Sequence, residues 1–172
     1  LLGEALALFF IGTLYPQIPS AKRWQQKGWR IMLAEAERQV RPDGIYFEQA
    51  LYYHVYALDF FVHFRLLASL NGLEIPAEFD AKIQKMGEVV ETLSQAGPAI
   101  AFGDDDGGRL FNPHRNRPEH LSDPLALCAL TFAREDFKRA ANLTEEAVWL
   151  FGKKALTLES QLEMVRKEPR TK

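Results

Sequence analysis

The sequence predicts an all-α fold. Apolar residues recur at helical spacing along most of the chain, and strand-like alternation is nearly absent. Stop signals at Pro16, Pro42-Asp43-Gly44, Asn71-Gly72 and Gly97-Pro98 cut the first part of the chain into pieces of ordinary helix length.

A first helix is expected over Leu2 to Thr13, ending before Pro16. Ser20 is placed to cap a second, running to about Val40, with Trp29, Met32, Leu33 and Ala36 on one face. Arg41-Pro42-Asp43-Gly44 reads as a turn, because proline presets its own φ and glycine admits a positive one. The third helix, about Phe47 to Leu70, is the longest. Leu51, Val55, Leu58, Val62 and Leu66 take one side of it, and Tyr53, Tyr56, Phe60, Phe64 and Leu67 the opposite side. A helix apolar on both sides is buried on both, so it belongs inside a helical array. The fourth, about Ala77 to Gln95, is amphipathic, with Phe79, Ile83, Met86, Val90 and Leu93 in a single stripe. An irregular stretch then runs to about His120. Ser122 and Pro124 open a helix to about Phe132. Thr144 caps another to about Phe151, with Glu145 and Glu146 suited to its dipole. The tail from Leu156 is charged and reads as a loosely held helix.

Its 172 residues are enough for one domain with a real core. The 21 basic and 23 acidic side chains nearly balance, which leaves no electrostatic footprint for nucleic acid. No apolar run is long enough to span a membrane; Ala5 to Leu14 is too short and Glu4 flanks it. One cysteine, Cys128, excludes an internal disulfide framework. The chain opens on Leu1 without an initiator Met, so it reads as a fragment whose targeting segment lies elsewhere.

Chemistry concentrates at the start of the third helix, in Glu48, Gln49, Tyr52, Tyr53, His54 and Tyr56. At about 100° per residue, Gln49, Tyr53 and Tyr56 share one narrow sector of a helix. Polar groups on a buried helix need partners or a water-filled pocket. The same pattern also fits a hydrogen-bonded core with tyrosines wedged between helices. His54 falls on another sector and suits packing.

A second candidate is the run Gly103-Asp104-Asp105-Asp106-Gly107-Gly108-Arg109. Its contiguous aspartates lack the alternating ligand positions of a calcium loop. It fits a solvated turn, or a loop whose glycines allow close backbone approach and whose Arg109 holds a carboxylate. His114, His120 and Cys128 have no metal-ligand spacing, and no Gly-x-Ser-x-Gly elbow exists. Asn142-Leu143-Thr144 matches a glycosylation sequon, but a helix cap explains Thr144 better.

These residues fit a family. Asp43-Gly44-Ile45-Tyr46-Phe47-Glu48-Gln49-Ala50-Leu51-Tyr52-Tyr53-His54 resembles the Asp-Gly-x-x-x-Glu-Gln-x-x-x-Tyr-His signature of heparinase II/III-like polysaccharide lyases. Phe102 to Arg109 is similar to that family's Gly-Asp-x-Asp-Gly-Gly loop, and Leu1 to Ala5 to the segment just after its Asn-His pair. The resemblance covers most of residues 1–152. It implies that residues 1–172 are part of an incomplete (α/α) toroid of antiparallel helix pairs whose inner helices line a sugar-binding cleft. A β-sandwich domain follows in such proteins and brings further site residues, in several members a histidine and sometimes a structural zinc. Neither that domain nor the Asn-His pair is in this chain, so the fragment alone is expected to lack much of the active site. It is expected to carry no metal or cofactor. A periplasmic or secreted protein is the implied setting.

The implied reaction is β-elimination on an acidic, uronic-acid polysaccharide. Tyr53 matches the family's catalytic tyrosine by position. Glu48 and Gln49 would orient substrate hydroxyls, Tyr52 and Tyr56 would stack on sugar rings, and Asp104, Asp105 and Arg109 would also bind substrate. A free tyrosine ionises near pH 10, so it needs nearby cations or donors to serve as a base. Two rivals stand beside this reading. A glycoside hydrolase would pair Glu48 with an aspartate of 104–106, at the roughly 5–9.5 Å carboxylate separation such chemistry requires. A non-catalytic carbohydrate-binding helical domain would do no chemistry. No dense basic patch is visible, which favours a lightly sulfated or unsulfated polymer.

Overall fold

The computed structural model describes residues 1–95, 102–105, 110, 121, 123–141 and 143–157, and every regular element in them is a helix. They are α1 (Leu2–Leu14), α2 (Ala21–Gln39), α3 (Leu51–Leu70), α4 (Ala77–Gln95), α5 (Pro124–Phe132), α6 (Glu135–Ala140) and α7 (Glu145–Phe151). Residues 153–157 add a further helical turn. Among the described residues extended pairing is limited to one isolated antiparallel bridge, Val40 with Tyr46. No described helix is long and apolar enough to cross a membrane.

Successive helices form antiparallel hairpins. In the first, a Cβ on Gly12 would lie 2.4 Å from Gln25 N and one on Gly28 2.5 Å from Ala5 O, so α1 and α2 touch backbone to backbone. In the second, Arg65 of α3 forks onto Asp80 of α4 at 3.2 and 3.1 Å, while His54 meets Met86 at the other end. Odd-numbered helices touch one another in the series α1, α3, α5, α7, and even-numbered ones in the series α2, α4, α6. The result is two layers of helix pairs, with α3 central in the odd layer.

That position explains the two-sided apolar pattern of α3. Flanked by α1 and α5 and backed by α2 and α4, it buries Val55, Leu58, Phe61, Val62 and Phe64 completely. Phe64 meets Phe9 at 4.7 Å, Trp29 at 5.2 Å and Phe79 at 5.3 Å between ring centroids, which ties all four helices together. Asn71-Gly72 ends α3 as expected. Gly72 at φ +68 lets its N–H reach Ser69 O and Leu73 N–H reach Ala68 O, so the last carbonyls are satisfied. The α4 stripe is buried at Phe79, Ile83, Met86 and Val90.

Several local expectations need correction. The third helix begins at Leu51, not near Phe47, so Glu48 and Gln49 precede it. Ser20 sits at the α2 cap position but in helical conformation, with no capping bond from its side chain. At α5 the cap position belongs to Asp123, again without a side-chain bond, and Ser122 lies outside the described residues. Helix α6 is too short to leave a periodic trace in sequence. It is held by Phe137, buried under Gly87, and by Arg134, which pairs with Asp136 at 2.5 Å and Glu88 at 3.0 Å. Thr144 does cap α7, its Oγ1 accepting from Ala147 N–H at 3.1 Å. Most of the tail read as a loose helix lies outside the described residues.

One buried ionic contact ties α3 to α7 within the odd layer. His63 donates from Nδ1 to Asp59 O at 2.7 Å, and its Nε2 lies 2.9 Å from Glu146 of α7. Burial opposes a charge on this imidazole. Glu146 and Asp59 outweigh it, and the His63 pKa is raised.

Candidate active site

The segment from Val40 to Ala50 is built from both sides before it delivers any functional group. Asp43 Oδ1 accepts from Ile45 N–H at 3.0 Å, and Gly44 N–H donates to Arg41 O at 2.9 Å. Gly44 has φ +88, and a Cβ there would lie 2.6 Å from Lys85 O, so glycine is required twice over. Lys82 and Lys85 of α4 donate to Val40 O and Pro42 O at 3.2 and 2.7 Å. On the α2 side, Phe47 N–H donates to Gln39 O at 2.9 Å. The Tyr46 hydroxyl donates to Gln39 Oε1, and Gln39 Nε2 donates to the Glu35 carboxylate, which also receives Arg38 Nε at 3.0 Å. Burial works against the Glu35 charge, yet the bonds from Arg38 and Gln39 keep its pKa below the ordinary value. Burial, reinforced by Glu48 and Glu35, pushes the Tyr46 phenol well up, so it serves as a neutral donor.

His54 is the second brace. Tyr46 N–H donates to its Nδ1 at 3.2 Å, so the proton sits on Nε2, which donates to Met86 O at 3.0 Å. Burial lowers its pKa and keeps the ring neutral. The signature therefore splits by role: Asp43, Gly44 and His54 shape and anchor the turn, while Glu48, Gln49 and Tyr53 are carried at its open end.

Gln49 does not share a helical sector with Tyr53 and Tyr56, because it is not helical. It has φ +58, a left-handed conformation uncommon outside glycine and asparagine. Its N–H donates to Tyr46 O at 3.1 Å. The amide lies against Arg41, and only with its oxygen toward the guanidinium do the two bond, at 2.6 and 3.3 Å. Arg41 was legible in sequence only as a turn residue, since no helix or strand period links it to Gln49.

On α3 itself, residues 51–64 are all buried except Tyr53 and Tyr56, which are half-buried. Tyr52 is buried and packs behind them, its ring 6.0 Å from Tyr53 and 6.3 Å from Tyr56. Tyr56 continues the row onto Phe60 at 4.5 Å. Glu48 is exposed.

The glycine-aspartate loop meets the same end of the helix. Phe102 O accepts from Leu51 N–H at 3.0 Å. Gly103, at φ +78, lies so close to Ala50 that a Cβ would come within 2.5 Å of Ala50 Cβ. Asp104 and Asp105 follow and are exposed. Asp106 and Arg109 lie outside the described residues, as do His114 and His120.

Cys128 is fully buried, and burial raises its thiol pKa far above the ordinary range, which makes it inert. Among the described residues no group of three His, Cys, Asp or Glu side chains could hold a metal ion.

The family model described as heparinase II/III N-terminus matches residues 1–100. A heparin-sulfate lyase of Bacteroides thetaiotaomicron is 30% identical over 123 residues, covering 70% of this chain and 17% of the relative. One from Pedobacter heparinus is 31% identical over 103 residues, covering 60% and 15%. One from Bacteroides stercoris is 35% identical over 88 residues, covering 50% and 13%. The matches thus span less than a fifth of each relative's length. No solved structure matches. With its family segment running from the first hairpin through α4, and its signature folded into the braced turn before α3, the chain belongs to the heparinase II/III family of polysaccharide lyases.

Proposed function

We propose that this chain forms the helical part of a lyase that cleaves a uronic-acid polysaccharide by β-elimination, with Tyr53 as general base and acid. The observation that carries the reading is the openness of Tyr53 and Tyr56 on a helix otherwise buried from residue 51 to 64. They are open at the end where Gln49 and the Phe102–Asp105 segment converge. A tyrosine kept only for packing has no need of that access.

In the proposed step, the Tyr53 phenolate takes the proton from C5, next to the carboxylate. The electron pair left at C5 forms the C4–C5 double bond as the C4–O bond breaks. The phenol then returns its proton to the departing oxygen. Developing charge on the carboxylate must be met by donors, some of them supplied from beyond this chain. Tyr56 offers a ring face to a neighbouring sugar, backed by Tyr52. Asp104, Asp105 and Arg109 are proposed to border the site. The names of the relatives make a heparan-type glycosaminoglycan the first substrate to test, and the absence of a dense basic patch favours a lightly sulfated one.

The test is Tyr53→Phe in the intact protein, which keeps the ring and removes the hydroxyl. Turnover, followed by ultraviolet absorption of the unsaturated product, is expected to fall about 10²–10⁴-fold. A melting curve on the same variant separates lost chemistry from lost folded protein. Near-normal turnover would remove Tyr53 from the mechanism and turn attention to Tyr56. Reducing ends without ultraviolet absorption would instead indicate hydrolysis by Glu48 with Asp104, Asp105 or Asp106, and neither signal would indicate a binding module.

A further inference from the structure

Arg41 and Gln49 form a unit that no turn requires. The turn is already closed by backbone bonds, Gly44 N–H to Arg41 O and Arg41 N–H to Ile45 O at 2.9 and 3.0 Å, and by the lysines of α4. The Arg41 side chain is thus not needed to hold its own loop. Among the described residues no carboxylate pairs with it. Instead its two terminal nitrogens lie 2.6 and 3.3 Å from the Gln49 amide, and with the amide oxygen turned toward them both donate to it. Gln49, for its part, holds a left-handed backbone that glutamine seldom adopts and that costs about 1 kcal/mol or more. Strain at an exposed residue beside half-buried tyrosines persists only where the surrounding bonds over-determine it. Here they are the Gln49 N–H bond to Tyr46 O and the guanidinium clamp.

The clamp has a chemical consequence. With the carbonyl end taken by Arg41, the group the amide has left to offer is its NH2. A free glutamine could rotate and offer either an acceptor or a donor; this one offers donors. The guanidinium beside it offers donors alone. We propose that Arg41 is a positioning residue which locks Gln49 as a donor, and that the pair receives an anionic oxygen of the substrate, a carboxylate or a sulfate. This rests on the reading of the substrate as an acidic polysaccharide, but not on Tyr53 being the base.

The decisive variant is Gln49→Glu. A carboxylate there keeps the pairing with Arg41 and so keeps the fold, while it replaces that NH2 by an oxygen that repels an anion. KM is expected to rise roughly 10- to 100-fold, as for loss of a hydrogen bond to a charged group. The melting temperature should be unchanged or higher. Arg41→Met frees the amide and should raise KM by a similar factor with kcat largely kept, the pattern of lost ground-state binding. Arg41→Lys, which can still donate once to the amide oxygen, should recover part of that loss. Direct binding of substrate oligosaccharides in the Tyr53→Phe background gives the same comparison without turnover, so it survives a failure of the lyase reading. An unsulfated uronate polymer and a carboxyl-reduced sulfated one separate the two sources: the variant effect persists only on the polymer that keeps the recognised group. Unchanged KM and affinity in Gln49→Glu would overturn the proposal. So would an Arg41→Met effect confined to stability and active fraction, with KM intact.

Discussion

Replacing Gly28 by alanine puts two ordinary rules in opposition. In the interior of α2, alanine favours the helix over glycine by about 1 kcal/mol, so propensity alone forecasts a more stable protein. The structure forecasts the reverse. A Cβ at Gly28 would lie 2.5 Å from Ala5 O, 2.6 Å from Phe9 N and 2.9 Å from Phe9 Cβ. The first of these is about 0.9 Å short of the 3.4 Å where ordinary contact begins, and two of the three atoms are backbone and cannot swing aside. The α1–α2 pair must separate by most of that shortfall. A gap of that size forfeits a quarter to a half of each dispersion contact across it, among them those of Phe9, which is fully buried and 4.7 Å from Phe64. Overpacking of this kind costs about 1–3 kcal/mol, and the rigid neighbours put Gly28 at the upper end. After the propensity gain, a net loss of about 2 kcal/mol remains. Gly3→Ala on α1 is the control, since its Cβ would meet nothing nearer than Phe60 at 3.7 Å. It should stabilise by up to about 1 kcal/mol. Hydrogen exchange on the intact protein reports the local stability of α1 and α2 without assuming two-state unfolding. Protection of their slowest amides should fall roughly 30-fold in Gly28→Ala and not fall in Gly3→Ala. If both variants raise protection alike, the backbone contact between α1 and α2 is not as close as described, and the packing of the first hairpin has to be drawn again.

His63 makes stability depend on pH. Its pKa is raised above the ordinary 6.5 in the folded state, so its contribution is fully present below about pH 6.5 and is lost as pH rises through the folded value. The stability difference between wild type and His63→Gln should therefore shrink as pH rises from 6.5, and a constant difference would mean the imidazole is not charged against Glu146. Tyr46→Phe removes the donor to Gln39 Oε1 and leaves a buried acceptor unpaired. A loss of about 1–3 kcal/mol in urea unfolding is expected, and unchanged stability would show that the Glu35–Gln39–Tyr46 chain does not hold the turn.

Periodicity determined which of the long stretches become helices, because the apolar spacing of Leu51 to Leu67 or Phe79 to Val90 is a local property that any packing must respect. It also determined that α3 is buried on both sides, since apolar side chains all round leave no face for water. The signature run pointed to the family, and the proline, asparagine and glycine stops were readable because each acts on its own backbone. The start of α3 was not readable. Residues 47–50 suit a helix by pattern, but Phe47 N–H is taken by Gln39 O and Leu51 N–H by Phe102 O, partners distant in sequence. Those bonds unwind the first turn, drop Gln49 into a left-handed conformation and bring Arg41 onto its amide. The tautomer of His54 is likewise set by Tyr46 and Met86, from two separate elements. Helix propensity is a sum over neighbours along the chain, whereas the mouth of this site is made by hydrogen bonds between segments that only the packed layers bring together.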